Sequence, residues 1–407
     1  MVDFLSILCL FVAMILFSST PLAKRASNAP ALTLSIGAIF GILILAFQLP
    51  ILPVETAAFG AKALLAALGF ACAAELRVSK LAKLCPSSWR LTLGGAPLFL
   101  LACSLSAYVM LPQLTWKSAL LLGGVMTVNG AAFDKRAVIN TPAPAAIKAA
   151  VRYESAAIIA LGIPVIILLV AFATAPQPNE ASLAPLMSTS LSVLTGFAFG
   201  GSLGLLAAYT GAAYRRRTLQ TRALDGQIAV LTGLISFSVA PTLGADPIVA
   251  ATACGLLWGE QTSSAATTRL RVRRFAERIV RPLAYFGFGL LITPRLFQAD
   301  LLTIVFALAI VTIIRVAPRL AVLQSPSLAR ESQFFLAWFG GAPGAASALF
   351  AITLLGNPAL YQADAVLIVA ALAITIGIFG ARLTSRPLAN AYLRETALAK
   401  KRRLFGT

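Results

Sequence analysis

Apolar runs of roughly 20 residues recur from one end of this chain to the other, and they limit its possible folds more than any other feature. Hydrophobic residues make up 59% of the 407 residues and charged residues 12%. A soluble domain carries about 25% charged residues. An apolar run of about 20 residues is what a helix needs to cross a bilayer. The sequence therefore predicts an all-α polytopic membrane protein.

The net charge of +19 is distributed in short loops between these apolar runs. Alternate loops hold Lys and Arg, and the intervening loops hold Glu55, Glu180, Asp246, Asp300 and Asp364. This alternation is the positive-inside pattern of membrane proteins, so we expect no nucleic-acid partner. It predicts an N-terminus outside, a cytoplasmic C-terminus and an odd number of spans. The compact, span-only design favours a bacterial inner membrane.

We predict about 13 transmembrane helices within residues 1–385, followed by a short basic cytoplasmic tail over 386–407. The first apolar run is either a first span or a cleaved signal peptide, but it has no basic residues before it. The tail either lies on the anionic inner leaflet or serves only as a topology signal. The predicted spans are Phe4–Leu22, Pro30–Gln48, Ala57–Leu76, Leu91–Met110, Ser118–Phe133, Ala145–Ala173, Met187–Tyr214, Gly226–Ala240, Pro247–Gln261, Val280–Thr293, Leu302–Val316, Gln333–Leu355 and Ala363–Leu383.

The fifth and twelfth spans carry residues that interrupt helices. They are Gly123, Gly124, Asn129 and Gly130 in the fifth span, and Gly340, Gly341, Pro343 and Gly344 in the twelfth. Seven spans separate the two, so they enter the membrane in opposite directions. Interrupted spans at matching places in two halves indicate an inverted repeat whose broken helices cross at the transport site. The alternative is that these small residues only allow close helix packing.

The sixth span carries an acidic residue, Glu154, in a run that is otherwise mostly Ala, Ile, Leu and Val. If the span begins at Ala145, Glu154 lies about 13 Å along it, near the middle of the bilayer. A carboxyl group at that depth suits a proton carrier or an ion ligand. The alternative is an interhelical bond that only holds the bundle together. Arg152, two residues away, points to another helix face and is a poor partner.

The sequence offers little for an enzyme or a metal centre. It contains no His, and its five Cys residues are scattered without metal-ligand spacing. No nucleophile and base stand in a recognisable arrangement. We therefore expect a protein that is not an enzyme, with no cofactor and no bound metal centre.

Several segments taken together resemble the sodium/proton exchanger branch of the monovalent cation:proton antiporter superfamily, over nearly the whole chain. They are KRASNAPALTLSIGAIFGIL, LGFACAAELRV, the fifth and sixth spans, ATACGLLWGE, YFGFGLLIT and GAPGAASALF. The resemblance implies an inverted repeat with two crossed, interrupted helices, a homodimer in the lipid bilayer, and exchange of Na+ or Li+, sometimes K+, for protons.

The sequence departs from the family pattern where the ion should bind. The resemblance implies Thr-Asp-Pro in the fifth span, but Asn129, Gly130 and Ala131 stand there. It implies an Asn-Asp pair after the Glu-Ser pair of the sixth span, but Ile158 and Ile159 occupy those places. Two isoleucines offer no oxygen ligands to a cation.

The twelfth span departs as well, because Pro343 stands where the family often has an arginine. On this reading the partner arginine is missing along with the aspartates. The residues left to form an ion and proton site are Glu154, Ser155, Asn129, Thr127 and Ser347, together with freed backbone carbonyls. We expect a cation/proton exchanger with an altered site centred on Glu154. The alternative is a transport-inactive relative that acts as a binding or regulatory subunit, or a carrier of another solute.

Overall fold

The computed structural model describes residues 30–48, 53–77, 86–128, 145–175, 184–217, 224–262, 266–324, 330–355, 357, 360 and 362–405. Every regular element in these ranges is a helix, which confirms the all-α prediction. The first predicted span, Phe4–Leu22, lies outside the described residues. The count of 13 spans therefore stays a prediction.

Fourteen helices can be followed through the described part of the chain. Three π-helical segments occur among them. Leu91–Gly95 lies within α3, Ile310–Ile314 lies within α11, and Ala276–Val280 joins α9 to α10. In order the helices are α1 Pro30–Ala46, α2 Val54–Glu75, α3 Pro86–Met110, α4 Trp116–Thr127, α5 Ala145–Thr174, α6 Ala184–Arg217, α7 Leu224–Val239, α8 Pro247–Gln261, α9 Ala266–Phe275, α10 Arg281–Leu296, α11 Leu301–Leu323, α12 Arg330–Phe339, α13 Ala345–Leu355 and α14 Ala363–Phe405.

Six helices among the described residues are long and apolar enough to cross a membrane. They are α2, α3, α5, α6, α11 and the first half of α14. Three shorter helical stretches are also apolar. They are α1, α13 and the stretch Ile228–Leu243, which comprises most of α7 and the 3-10 turn that follows it. Each predicted span from the second to the thirteenth overlaps one or two of the observed helices.

The twelfth predicted span is two helices, α12 and α13, because the chain turns at Gly340 and Gly341, and this confirms the interruption that we predicted there. The structure differs from the sequence prediction at two places. The Arg-rich stretch predicted as a loop forms the helix α9, which buries Val272 and exposes Arg274. The last helix, α14, runs without a break through residues 385 and 386, where we placed the start of the tail.

Glycines bring some helices into backbone contact. This is the role that we gave as the alternative to helix interruption. Gly200 and Gly204 of α6 face the backbone of Ala250 and Cys254 in α8. A Cβ atom at either glycine would collide with the carbonyl oxygen opposite it. Interfaces of this kind are typical of membrane helices, because small residues let two backbones approach closely.

Replacing Gly200 with Ala should destabilise the protein, because α6 and α8 must then move apart. Overpacking of this kind costs about 1–3 kcal/mol. Thermal unfolding of the purified protein in detergent measures the effect. Gly60→Ala is the matched control, since nothing lies within 4 Å of a Cβ atom at Gly60. Equal melting temperatures for the two variants would contradict the close α6–α8 contact.

Candidate functional site at the broken spans

Glu154 lies inside α5 and is completely buried. Its carboxylate meets the guanidinium of Arg319 in α11 through two contacts. Arg319 Nη1 lies 2.6 Å from Glu154 Oε1, and Arg319 Nη2 donates a hydrogen bond of 2.9 Å to Oε2. Both carboxylate oxygens therefore contact the guanidinium, Oε2 through a hydrogen bond and Oε1 through a close ion contact.

Arg319 also holds the end of α12. Its Nη2 donates to the Leu336 carbonyl at 3.1 Å, and its Nε donates to the Ala337 carbonyl at 3.2 Å. These carbonyls belong to the last turn of α12, where backbone N–H partners run out. The Leu336 carbonyl also accepts from the Gly340 N–H at 3.0 Å. The negative end of the helix dipole favours a cation at this position. Arg319 thus joins α5, α11 and α12 at one buried point.

The glycines between α12 and α13 make room for this ion pair. A Cβ atom on Gly340 would lie 2.5 Å from Glu154 Oε2 and would collide with Arg319 Nη2. Gly341 has a φ of +67°, and a Cβ atom there would lie 2.5 Å from Arg319 Nη1. Only glycine satisfies both the space and the left-handed backbone. The break in the twelfth span therefore wraps around the Glu154–Arg319 pair.

The fifth and twelfth spans meet through a direct contact. The Ser347 hydroxyl, in the first turn of α13, donates to the Val128 carbonyl just beyond the end of α4. This places the negative C-terminal end of α4 against the positive N-terminal end of α13, which is favourable for both dipoles. The crossing that we expected between the fifth and twelfth spans is present at this contact.

The other predicted site residues are placed as follows. Thr127 donates to the Gly123 carbonyl of its own helix at 2.8 Å. Ser155 is buried, and its hydroxyl has no hydrogen-bond partner in the described part of the chain. Asn129 and Gly130 lie outside the described residues. Pro343 and Gly344 lie in the connection that leads into α13.

Gly123 and Gly124 do not interrupt the fifth span, contrary to our prediction. Both lie inside α4, which continues to Thr127. A Cβ atom on Gly123 would collide with Ser104 of α3, and one on Gly124 would lie 2.7 Å from Leu169 of α5. These two glycines therefore serve close helix packing.

Glu154 has an arginine partner, Arg319, although we predicted that the partner arginine is missing. We looked for it at the place of Pro343 and ended the eleventh span at Val316, so Arg319 fell in a predicted loop. In the structure α11 continues to Leu323, and Arg319 is 2% exposed. The available signal was the four-residue spacing of Arg315 and Arg319, which puts both on one helix face.

The charges on another face of α5 form a separate group. Arg152 lies 3.5 Å from Glu75 and, as expected, does not contact Glu154. Arg273 lies 3.6 Å from Glu75 and 2.7 Å from Glu277. These residues link α5, α2 and α9. Among the described residues, no group of three or more His, Cys, Asp and Glu side chains could hold a metal ion.

Comparisons with known proteins agree with this architecture. Residues 7–388 match the family model described as "Sodium/hydrogen exchanger, transmembrane". The fold is similar to that of the sodium proton antiporter MjNhaP1 from Methanocaldococcus jannaschii at pH 8, with a TM-score of 0.71, 16% identity, and coverage of 93% of this chain and 99% of that chain. An electron-microscopy structure of the same antiporter gives a TM-score of 0.61, 17% identity, and coverage of 99% and 98%. No curated protein matches the chain.

Neutralising one member of the ion pair should destabilise the protein strongly, because the other charge is then buried alone. Glu154→Gln and Arg319→Gln should each cost about 3–5 kcal/mol. The double variant should lose less than the sum of the two single losses, since neither charge remains. Thermal unfolding in detergent of wild type, the two single variants and the double variant gives the coupling free energy between Glu154 and Arg319. Arg274→Gln, at an exposed arginine, is the control, and strictly additive losses would contradict the pairing.

Proposed function

We propose that this chain, which belongs to the sodium/hydrogen exchanger family, is a secondary transporter that exchanges a monovalent cation (Na+, Li+ or K+) for protons across a membrane. One observation carries the proposal. In the described part of the chain, the Glu154 carboxylate is completely buried and lies beside Gly340, at the break of the twelfth span. Buried ionisable residues at membrane depth are costly and are usually functional.

In our proposal, a proton, a cation and Arg319 compete for the Glu154 carboxylate. Exchange requires that the proton and the cation bind to the same group at different times, so Arg319 must release it in part of the cycle. The release does not leave Arg319 without acceptors, because the carbonyls of Leu336 and Ala337 continue to hold it. When the ion pair opens, the guanidinium therefore keeps two hydrogen-bond acceptors, and this lowers the free-energy cost of separating the two charges.

The oxygen atoms that we assign to the site suit a small monovalent cation. The Ser347 hydroxyl and the Val128 carbonyl lie together at the crossing, and the free Ser155 hydroxyl neighbours Glu154 in the chain. We include Thr127 and Asn129 in the proposed set. Alkali cations bind to carboxylate, carbonyl and hydroxyl oxygens, and one carboxylate supplies the compensating charge.

A second candidate is a transport-inactive membrane subunit, or a carrier of another solute. A specific observation favours it, since Arg319 engages both Glu154 oxygens and ties α5 to α11. In addition, Ile158 and Ile159 are buried and apolar. In this reading the ion pair only holds the bundle together.

The remaining features of the proposal follow the sequence. We propose a homodimer in a bacterial inner membrane, with the N-terminus outside and the C-terminus cytoplasmic. The proposed domain division is a transmembrane exchanger domain over residues 1–385 and a basic cytoplasmic tail over 386–407.

Purified protein in vesicles with a trapped pH dye tests the proposal. A pulse of Na+, Li+ or K+ across a pH gradient should move protons in wild-type protein. Glu154→Gln should abolish this movement, because the amide can neither accept the proton nor neutralise the cation. Glu55→Gln is the matched control, since Glu55 is exposed at the start of α2 and should leave exchange unchanged.

Two outcomes would decide against the leading proposal. A fully active Glu154→Gln variant would remove Glu154 from the mechanism. A correctly folded wild-type protein that responds to none of the three cations would favour the second candidate.

A further inference from the structure

A second arginine, Arg315, is buried beside the Glu154–Arg319 pair, and the exchange proposal gives it no role. Arg315 lies one helical turn before Arg319 in α11 and is 2% exposed. One of its nitrogens, Nη2, donates to the Trp338 carbonyl at 3.0 Å. Its Nε and Nη1 atoms are buried and have no hydrogen-bond partner in the described part of the chain.

The charges around the break do not balance. Two guanidinium groups, Arg315 and Arg319, face a single carboxylate, and Arg319 holds both oxygens of that carboxylate. Among the described residues, Glu154 is the acidic group that interacts with Arg315. Among the described residues, Arg315, Arg319 and Glu154 therefore sum to one excess positive charge. An unpaired buried guanidinium with free N–H groups is costly, and proteins retain such groups mainly where they have a function.

Trp338 forms the wall on one side of Arg315. The guanidinium carbon of Arg315 lies 5.8 Å from the centre of the Trp338 ring. The Trp338 ring is only half-buried, so one part of it lies against the buried guanidinium and another part is exposed. The helix that carries Arg315 is also irregular at this point, since the π-helical segment Ile310–Ile314 directly precedes Arg315. Such segments are common at functional sites in helices. The Trp338 indole N–H donates to the Thr384 hydroxyl at 3.0 Å, which holds the ring beside the guanidinium.

We propose that Arg315 binds a small inorganic monovalent anion of the size of chloride, next to the broken spans. An anion there would satisfy the free N–H groups and would bring the net charge of the site to zero. A cation at the same place would raise the charge to +2, which low-dielectric surroundings oppose. The anion site goes beyond the proposed exchange, because it uses a different side chain and requires no cation.

Bromide quenching of tryptophan fluorescence tests the site, because bromide quenches only when it contacts the ring. The protein in zwitterionic vesicles is titrated with KBr at constant ionic strength, with gluconate as the replacement anion. We expect a saturable component of quenching that chloride competes away. Trp338→Phe should remove this component. Arg315→Gln should weaken bromide binding roughly ten- to a hundredfold, as expected for a lost charge-assisted hydrogen bond.

Two further measurements keep the test decisive. Arg274→Gln, at an exposed arginine, should leave the saturable component unchanged. If Arg315→Gln does not fold, the melting temperature of wild-type protein decides, since a bound anion raises it in chloride relative to gluconate. Linear quenching and equal melting temperatures in the two salts would overturn the proposal. Cation/proton exchange measured in gluconate alone tests the proposed function separately.

Discussion

The buried contact between Glu154 and Arg319 is the interaction on which the rest of the core depends. Taking either charge out of water costs several kcal/mol, and only a close, two-pronged pair with additional hydrogen bonds repays that cost. This requirement accounts for much of the surrounding structure. The twelfth span ends as α12 because Arg319 satisfies its last carbonyls. The chain then turns at Gly340 and Gly341 because no side chain fits beside the pair. A helix that continued through this point would displace the two charges.

The same contact limits what the protein can transport. A cation can reach Glu154 only when Arg319 has moved or when a competing charge has weakened the pair. The excess guanidinium of Arg315 works against a cation in this state and favours an anion. The buried isoleucines, Ile158 and Ile159, add no oxygen that would shift this balance.

The sequence predicted the helices far better than it predicted the site. Apolar runs gave α8 with its observed ends, Pro247–Gln261, because Asp246 caps its first turn and the run ends in a polar stretch. Glu154 was found because a charge within an apolar run is conspicuous. Arg319 was missed because it is close to Glu154 only in space, 165 positions away in the chain. Gly123 and Gly124 show a different limit of prediction from sequence, because their role depends on the neighbouring helices. A glycine in a span signals either a break or a close helix contact, and only the tertiary structure separates the two.

The central claim is that the Glu154 carboxylate leaves Arg319 and meets a proton or a cation during the cycle. Infrared difference spectroscopy of the protein in membranes tests this claim directly, because carboxylate stretching bands respond to protonation and to ion contact. Difference spectra of wild type and Glu154→Gln are compared after exchange of choline for Na+, Li+ or K+, and after a step in pH. The account predicts a cation-dependent and a pH-dependent carboxylate band in wild type that Glu154→Gln lacks. Identical spectra for the two folded proteins under all these conditions would contradict it, and would leave the ion pair as a fixed structural link.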